Sequence, residues 1–153
     1  MNRGLVLLLF LLATGSFASA QTATELCKDN SRSDCPEAIG FFQRLQDALR
    51  DDDRGAVASM ARYPLRVRLN GKGTLLRSKR ELLQNYKKVF DAAILCSILR
   101  AKRTEVWDNW QGFSITHGEI WWERRNAPNA RFKLITVNNG AFYPGCQTGS
   151  QQR

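Results

Sequence analysis

The chain has 153 residues, 23 Lys+Arg against 14 Asp+Glu for a formal charge of +9, and is 43% apolar. That apolar fraction excludes a disordered chain, and 11 Gly with 4 Pro exclude a collagen-like or low-complexity one. No apolar run reaches the ~20 residues of a membrane span, so a small, basic, soluble domain is expected.

At the start, Arg3 precedes an apolar run from Leu5 to Ala13, and Ala18-Ser19-Ala20 closes it. Charge, apolar core and small residues in that order predict a signal peptide at 1–20, leaving one domain at 21–153 that is exported to a periplasm or secreted. No cysteine follows the cleavage point, which argues against a lipid anchor. Cys27, Cys35, Cys96 and Cys146 are even in number and lack the paired spacing of a zinc site, so disulfides are expected. Of the three possible pairings, Cys27 with Cys35 and Cys96 with Cys146 is favoured: the first closes a short loop and the second ties the tail to the core. Buried free thiols are the alternative.

Asp34 and Glu37 have capping-box spacing around Pro36, and Ala38, Phe41, Phe42, Leu45, Ala48 and Leu49 recur at helical spacing. The spacing predicts an amphipathic helix over 35–50. Asp51-Asp52-Asp53 caps a second helix through Val57, Met60 and Ala61, which Tyr63-Pro64 ends. Leu65, Val67 and Leu69 then alternate with Arg66 and Arg68, a strand that closes in a turn at Asn70-Gly71-Lys72-Gly73. Ser78 and Glu81 open a third helix through Leu82, Leu83, Tyr86, Val89 and Phe90. The apolar run from Ala92 to Leu99 reads as a buried strand, with a helix as the alternative. Thr104 to Trp107, Gly112 to Thr116, Glu119 to Arg124 and Arg131 to Asn138 are separated by turn residues, so they predict an antiparallel meander. Helices against one face of a strongly curved antiparallel sheet give an α+β class.

The opening Phe41-Phe42-x-x-Leu45 helix, Met60-Ala61-Arg62-Tyr63-Pro64-Leu65, Ser78-Lys79-x-Glu81-Leu82-Leu83, and Trp110-Gln111-Gly112 followed by Gly118-Glu119-Ile120-Trp121-Trp122 occur in an order that resembles the nuclear transport factor 2-like superfamily. The resemblance spans about 37–138. It implies a cystatin-like cone, a curved sheet around about three N-terminal helices, with a pocket between sheet and helices. Its expected lining is Phe41, Leu45, Tyr63, Phe90, Trp110, Phe113, Ile120, Trp122 and Phe132. The same aromatic pattern also arises from plain core packing. Superfamily enzymes place carboxylates, tyrosines or histidines in that cavity, whereas the opening helix here offers Phe41 and Phe42. Cone domains of this superfamily commonly dimerise through the sheet, so a homodimer is among the implied assemblies.

Acid–base candidates reduce to Asp108, between two tryptophans, and His117, in a turn; both also read as turn residues. No serine elbow, metal signature or phosphate loop is present, so no cofactor and no metal are expected. Arg66, Arg68, Lys72, Arg77, Lys79 and Arg80 fall within fifteen residues and form an anion-binding candidate if they share a face, although a solvated surface that keeps an exported chain soluble is the favoured reading of such a run. Nucleic acid is not expected for a disulfide-bearing exported chain. Alternation turns Trp121 outward beside inward Trp122, as at a protein interface.

Three functional classes stay open. The favoured one is an exported, non-catalytic protein that binds a protein partner or a small apolar ligand, with an anionic partner among the options. The others are an inhibitor or immunity-type protein directed at an acidic target, and an isomerase- or dehydratase-like enzyme using Asp108 and His117.

Overall fold

A computed structural model describes residues 27, 32–69, 71–127, 129–140 and 144–146. The predicted signal peptide lies outside them. Helix α1, Cys35–Arg50, carries Pro36 in its first turn and buries Ala38, Ile39, Phe41, Phe42, Leu45 and Leu49 along one stripe. Asp34 sits at its N-cap, yet its carboxylate makes no capping bond. The carboxylate is held instead by the Arg32 fork, at 3.0 Å to each oxygen, and by Arg124 at 3.3 Å. A bidentate charged pair outcompetes a single backbone N–H.

Asp53 caps α2, Arg54–Met60, by accepting from the Ala56 N–H. The expected stop at Tyr63-Pro64 is displaced: the helix ends at Met60 and strand β1, Ala61–Leu69, runs through Pro64. Proline is tolerated there because its side chain is exposed and the pairing with the neighbouring strand is irregular between Ala61 and Arg66. Strand β2, Lys72–Leu76, takes residues that the sequence assigned to a turn and the run after it; it buries Leu76 alone and so carries no alternating signal.

The expected third helix is broken at Asn85 into α3, Lys79–Gln84, and α4, Tyr86–Val89. Ser78 accepts from the Glu81 N–H, while the Glu81 carboxylate accepts from the Arg77 N–H, one residue outside a true capping box. The run from Ala92 is helix α5, Ala92–Arg100, rather than the expected strand. Asp91 decides it, because its Oδ1 accepts from the N–H groups of both Ala93 and Ile94 at 3.0 Å. Ala93, Ile94, Ser97 and Ile98 then form the buried stripe. Asp91→Ala should lower stability by about 1 kcal/mol, read from the urea midpoint; an unchanged midpoint rejects the cap.

A single 3-10 turn, Arg103–Glu105, leads into β3, Val106–Asn109, β4, Gly112–Ile115, β5, Ile120–Glu123, and β6, Lys133–Val137. The strands form one curved sheet in the order β2-β1-β6-β5-β4-β3. The predicted meander from β3 to β6 is antiparallel throughout, but β1 pairs with β6 in parallel, so the sheet is mixed rather than antiparallel.

One core joins the inner face of the sheet to α1. Trp122 is fully buried at its centre, stacked on Phe42 at 5.5 Å with an interplanar angle of 10°, and its indole N–H donates to the Ala38 carbonyl. Phe113 and Phe132 meet edge-on at 5.7 Å beside it. The Arg32 guanidinium covers the Phe113 ring at 4.9 Å, and Arg124 covers Phe132 at 5.4 Å. Cys27 is bonded to Cys35 and Cys96 to Cys146, as expected, an arrangement compatible with an oxidising compartment. Among the described residues no helix is long and apolar enough to cross a membrane.

Candidate functional site

Residues paired directly across neighbouring strands share a face of the sheet. The registers therefore align Trp107, Ser114, Trp121, Thr136, Arg66 and Leu75 as one row across all six strands. Arg66 is exposed between buried Leu65 and Val67, so this row lies on the outer face, away from the core. At one end Trp107 and Trp121 meet edge-to-face at 5.0 Å, across the small, fully buried Ser114 that lies between them in the row. The Trp107 indole N–H donates to the Thr116 carbonyl, and the Ser114 hydroxyl donates to the Ile120 carbonyl at 2.7 Å. At the other end Leu75 is 50% exposed.

Trp110 is the most exposed large apolar residue described, at 88%. It sits in the turn joining β3 to β4, where the Asn109 carboxamide accepts from the Gln111 N–H at 2.8 Å. Gly112 completes the turn at φ +133°, and a Cβ there would stand 2.6 Å from the Trp122 carbonyl, so the turn that holds Trp110 requires glycine. Trp110, Leu75, Pro64, Ile135, Arg66 and Thr136 border a trough of about 510 Å³ on the outer face. Arg62 and Glu123, also on its wall, form an ion pair. The trough thus combines exposed apolar groups with Arg66 and a neutralised pair. Arg68 lies two residues beyond on the same strand face, its guanidinium donating to the Gly71 carbonyl at 3.2 Å.

Of the residues expected to line an interior pocket, Phe41, Leu45, Phe90, Phe113, Ile120, Trp122 and Phe132 all join the buried core. Their rings pack on one another: Trp122 also meets Phe41 and Phe113, each at 6.2 Å. Tyr63 is half-buried, its hydroxyl donating to the Ala58 carbonyl. Trp110 does not join them, because a turn residue at the end of a hairpin points clear of the sheet's inner face.

Asp108 and His117 are not brought together. Asp108 pairs with Phe113 in the β3–β4 ladder, while Thr116, next to His117, bonds to the Glu105 carbonyl three residues earlier, about 10 Å along the strand. Asp108 acts on Arg32, and His117 Nδ1 lies 3.5 Å from Glu119. Glu119 was not singled out by sequence reading, yet its carboxylate is fully buried and accepts from the Thr116 hydroxyl at 2.6 Å and the His117 N–H at 2.9 Å. These bonds lock the turn between β4 and β5. The Arg32 hydrogen bonds hold the Asp34 carboxyl below its ordinary pKa, and burial pushes the Tyr86 phenol up to about 12.

The basic run is divided by the fold. Arg66 and Arg68 face outward from β1, whereas Lys72 pairs with Leu69 on the opposite face. Lys79 reaches back to the Ser59 hydroxyl at 2.8 Å, and Arg77 and Arg80 lie exposed around the start of α3. A different set of cations converges where no local run announces it: Arg44 from α1, Arg131 from the approach to β6 and Lys133 at its start border one groove. No group of three or more metal-binding side chains occurs among the described residues. No protein-family model, curated protein or solved structure matches the chain.

Proposed function

We propose that this is an exported, non-catalytic binding protein of the cystatin-like cone type, and that it engages the acidic surface of a protein partner through the outer face of its sheet. The exposed indole of Trp110 above a trough that contains Arg66 and Leu75 carries this reading. Aromatic and arginine anchors dominate protein interfaces, and a rigid turn presents Trp110 at little entropic cost. The curved six-stranded sheet packed against α1 supports a cone-like fold. The stacking of Phe41, Phe42, Phe113 and Trp122 supports a packed interior over a small-ligand pocket. Both disulfides support export.

Charge selects the partner. A second copy docked with its two-fold axis near Arg66 and Arg68 sets them against like charge. An acidic surface meets them with opposite charge, and a protein that neutralises an acidic target is one form of this reading. The test is co-purification from the native exported fraction at low salt, comparing wild type with Trp110→Ala and Arg66→Glu. The expected result is an acidic protein retained by wild type, released by salt, and bound at least ~30-fold more weakly by Trp110→Ala in a titration of the purified pair. Folding stability should stay within about 0.5 kcal/mol of wild type, since Trp110 packs on little. Retention of the same proteins by both variants rejects the face.

A further inference from the structure

The sheet has two edges, β2 and β3, and they differ in exposure. No residue of β3 is exposed, whereas Lys72, Gly73, Thr74 and Leu75 of β2 all are. Only two residues separate Leu69 from Lys72, so a tight turn makes that pair hydrogen-bonded, and alternation along the ladder does the same for Val67 with Thr74 and Leu65 with Leu76. Gly73 and Leu75 therefore aim their N–H and C=O groups away from β1. Among the described residues no bond reaches Lys72–Leu76 from outside the β1 ladder.

An open edge is a template for another strand, and proteins blunt it with proline, a bulge or an inward-pointing charge. Strand β2 has no proline, its register with β1 runs unbroken from Leu76 to Lys72, and its one charged residue, Lys72, stands at the end beside the turn. Charge then names the occupant. Residues 61–80 hold seven Lys or Arg and no Asp or Glu. Arg66 and Arg68 flank the edge on the outer face, Lys72 lies on the other face, and Arg77 follows the strand. Among the described residues Arg66, Lys72 and Arg77 enter no ion pair. Side chains of a strand alternate between faces, so cations divided over both faces suit an added strand better than a surface docked on one. A second copy pairing edge to edge about a two-fold axis sets Lys72 towards the Arg77 end, like charge on like.

We infer that the β2 edge takes an extended acidic segment of the partner protein as a seventh strand, held by the N–H and C=O groups of Gly73 and Leu75 and selected by Arg66, Arg68, Lys72 and Arg77. The inference rests on the proposed acidic partner and names the part of it that is held. Leu75 joins the two surfaces, its side chain bordering the outer-face trough and its backbone lying on the edge.

Amide hydrogen exchange of the isotope-labelled, disulfide-bonded chain, followed by NMR with and without a peptide of about ten alternating Glu and Val residues, decides it. The peptide should slow exchange at Gly73 and Leu75 at least about tenfold and leave Thr74, whose N–H already bonds to β1, within about twofold. An alternating Glu-Pro peptide carries the same charge but cannot complete the ladder, and an alternating Lys-Val peptide carries the wrong sign; both should bind at least about tenfold more weakly. Gly73→Pro removes an outward N–H without touching the bonds to β1, so it should weaken binding of the Glu-Val peptide at least about tenfold, whereas Gly73→Ala keeps that N–H and should bind like wild type. The wild-type exchange pattern decides even where Gly73→Pro does not fold. Equal binding of the Glu-Pro peptide overturns the inference, as does no binding of the Glu-Val peptide, or binding without slowed exchange at Gly73 and Leu75. Binding lost in Trp110→Ala but kept in Gly73→Pro places the segment on the outer face, which overturns strand addition and leaves the proposed function standing.

Discussion

Trp122→Ala is expected to remove ~3–5 kcal/mol of folding stability, the cost of emptying a fully packed tryptophan site. Trp122 is buried to 0% exposure, its ring is stacked with Phe42, Phe41 and Phe113, and its N–H binds the Ala38 carbonyl of α1. One side chain therefore fastens β5 to the long helix. A domain of this size has ~5–15 kcal/mol in total, so the variant should unfold with a urea midpoint lower by roughly 2 M. Trp122→Phe keeps a ring in the stack and should recover part of the loss. A loss under about 1 kcal/mol for Trp122→Ala contradicts a packed aromatic centre and revives a cavity around these rings.

The two disulfides should differ in worth, and loop length sets the order. Cys96–Cys146 spans 50 residues and ties α5 to the tail, so replacing both cysteines by serine should cost ~3–4 kcal/mol. Cys27–Cys35 spans eight, and its removal should cost ~2.5 kcal/mol by the same unfolded-chain argument. Thermal unfolding of the two double variants checks the order. A larger loss from the short loop would show that its main work is in the folded state, holding Arg32 over Phe113 at 4.9 Å rather than restricting the unfolded chain.

Local chemistry made part of this architecture readable. Helix α1 follows from the i, i+3, i+4 recurrence from Ala38 to Leu49, and the β3 to β6 meander from turn residues between short apolar stretches. Strand β2 escaped because four of its five residues are exposed, leaving no period to detect. Helix α5 is not fixed by its eight-residue apolar run, which satisfies either period, and the deciding signal, Asp91, stands just outside it.

The surface was far less legible, for a different reason. Which residues share a face depends on register and on the parallel pairing of β1 with β6, and neither leaves a local mark. That pairing puts Arg66 in line with Trp121 and brings Leu75 and Trp110 to one trough. The resemblance implies a pocket lined in part by Trp110, yet a turn held by Asn109 and Gly112 leaves it in solvent. Conversely, six cations close in sequence are dispersed over two sheet faces and the start of α3, while Arg44 meets Arg131 and Lys133 from nearly ninety positions away. The two acid–base candidates, Asp108 and His117, are set apart by the β3–β4 register.

The most direct test of the outer face is a photo-reactive phenylalanine in place of Gln111, beside Trp110 on the trough, in the chain expressed in its native host and irradiated in the cell. The account predicts a covalent adduct to an acidic protein, diminished by Arg66→Glu and absent when the reactive group replaces Arg80 instead. Adducts only between copies of this chain, or equal labelling from both positions, would contradict it.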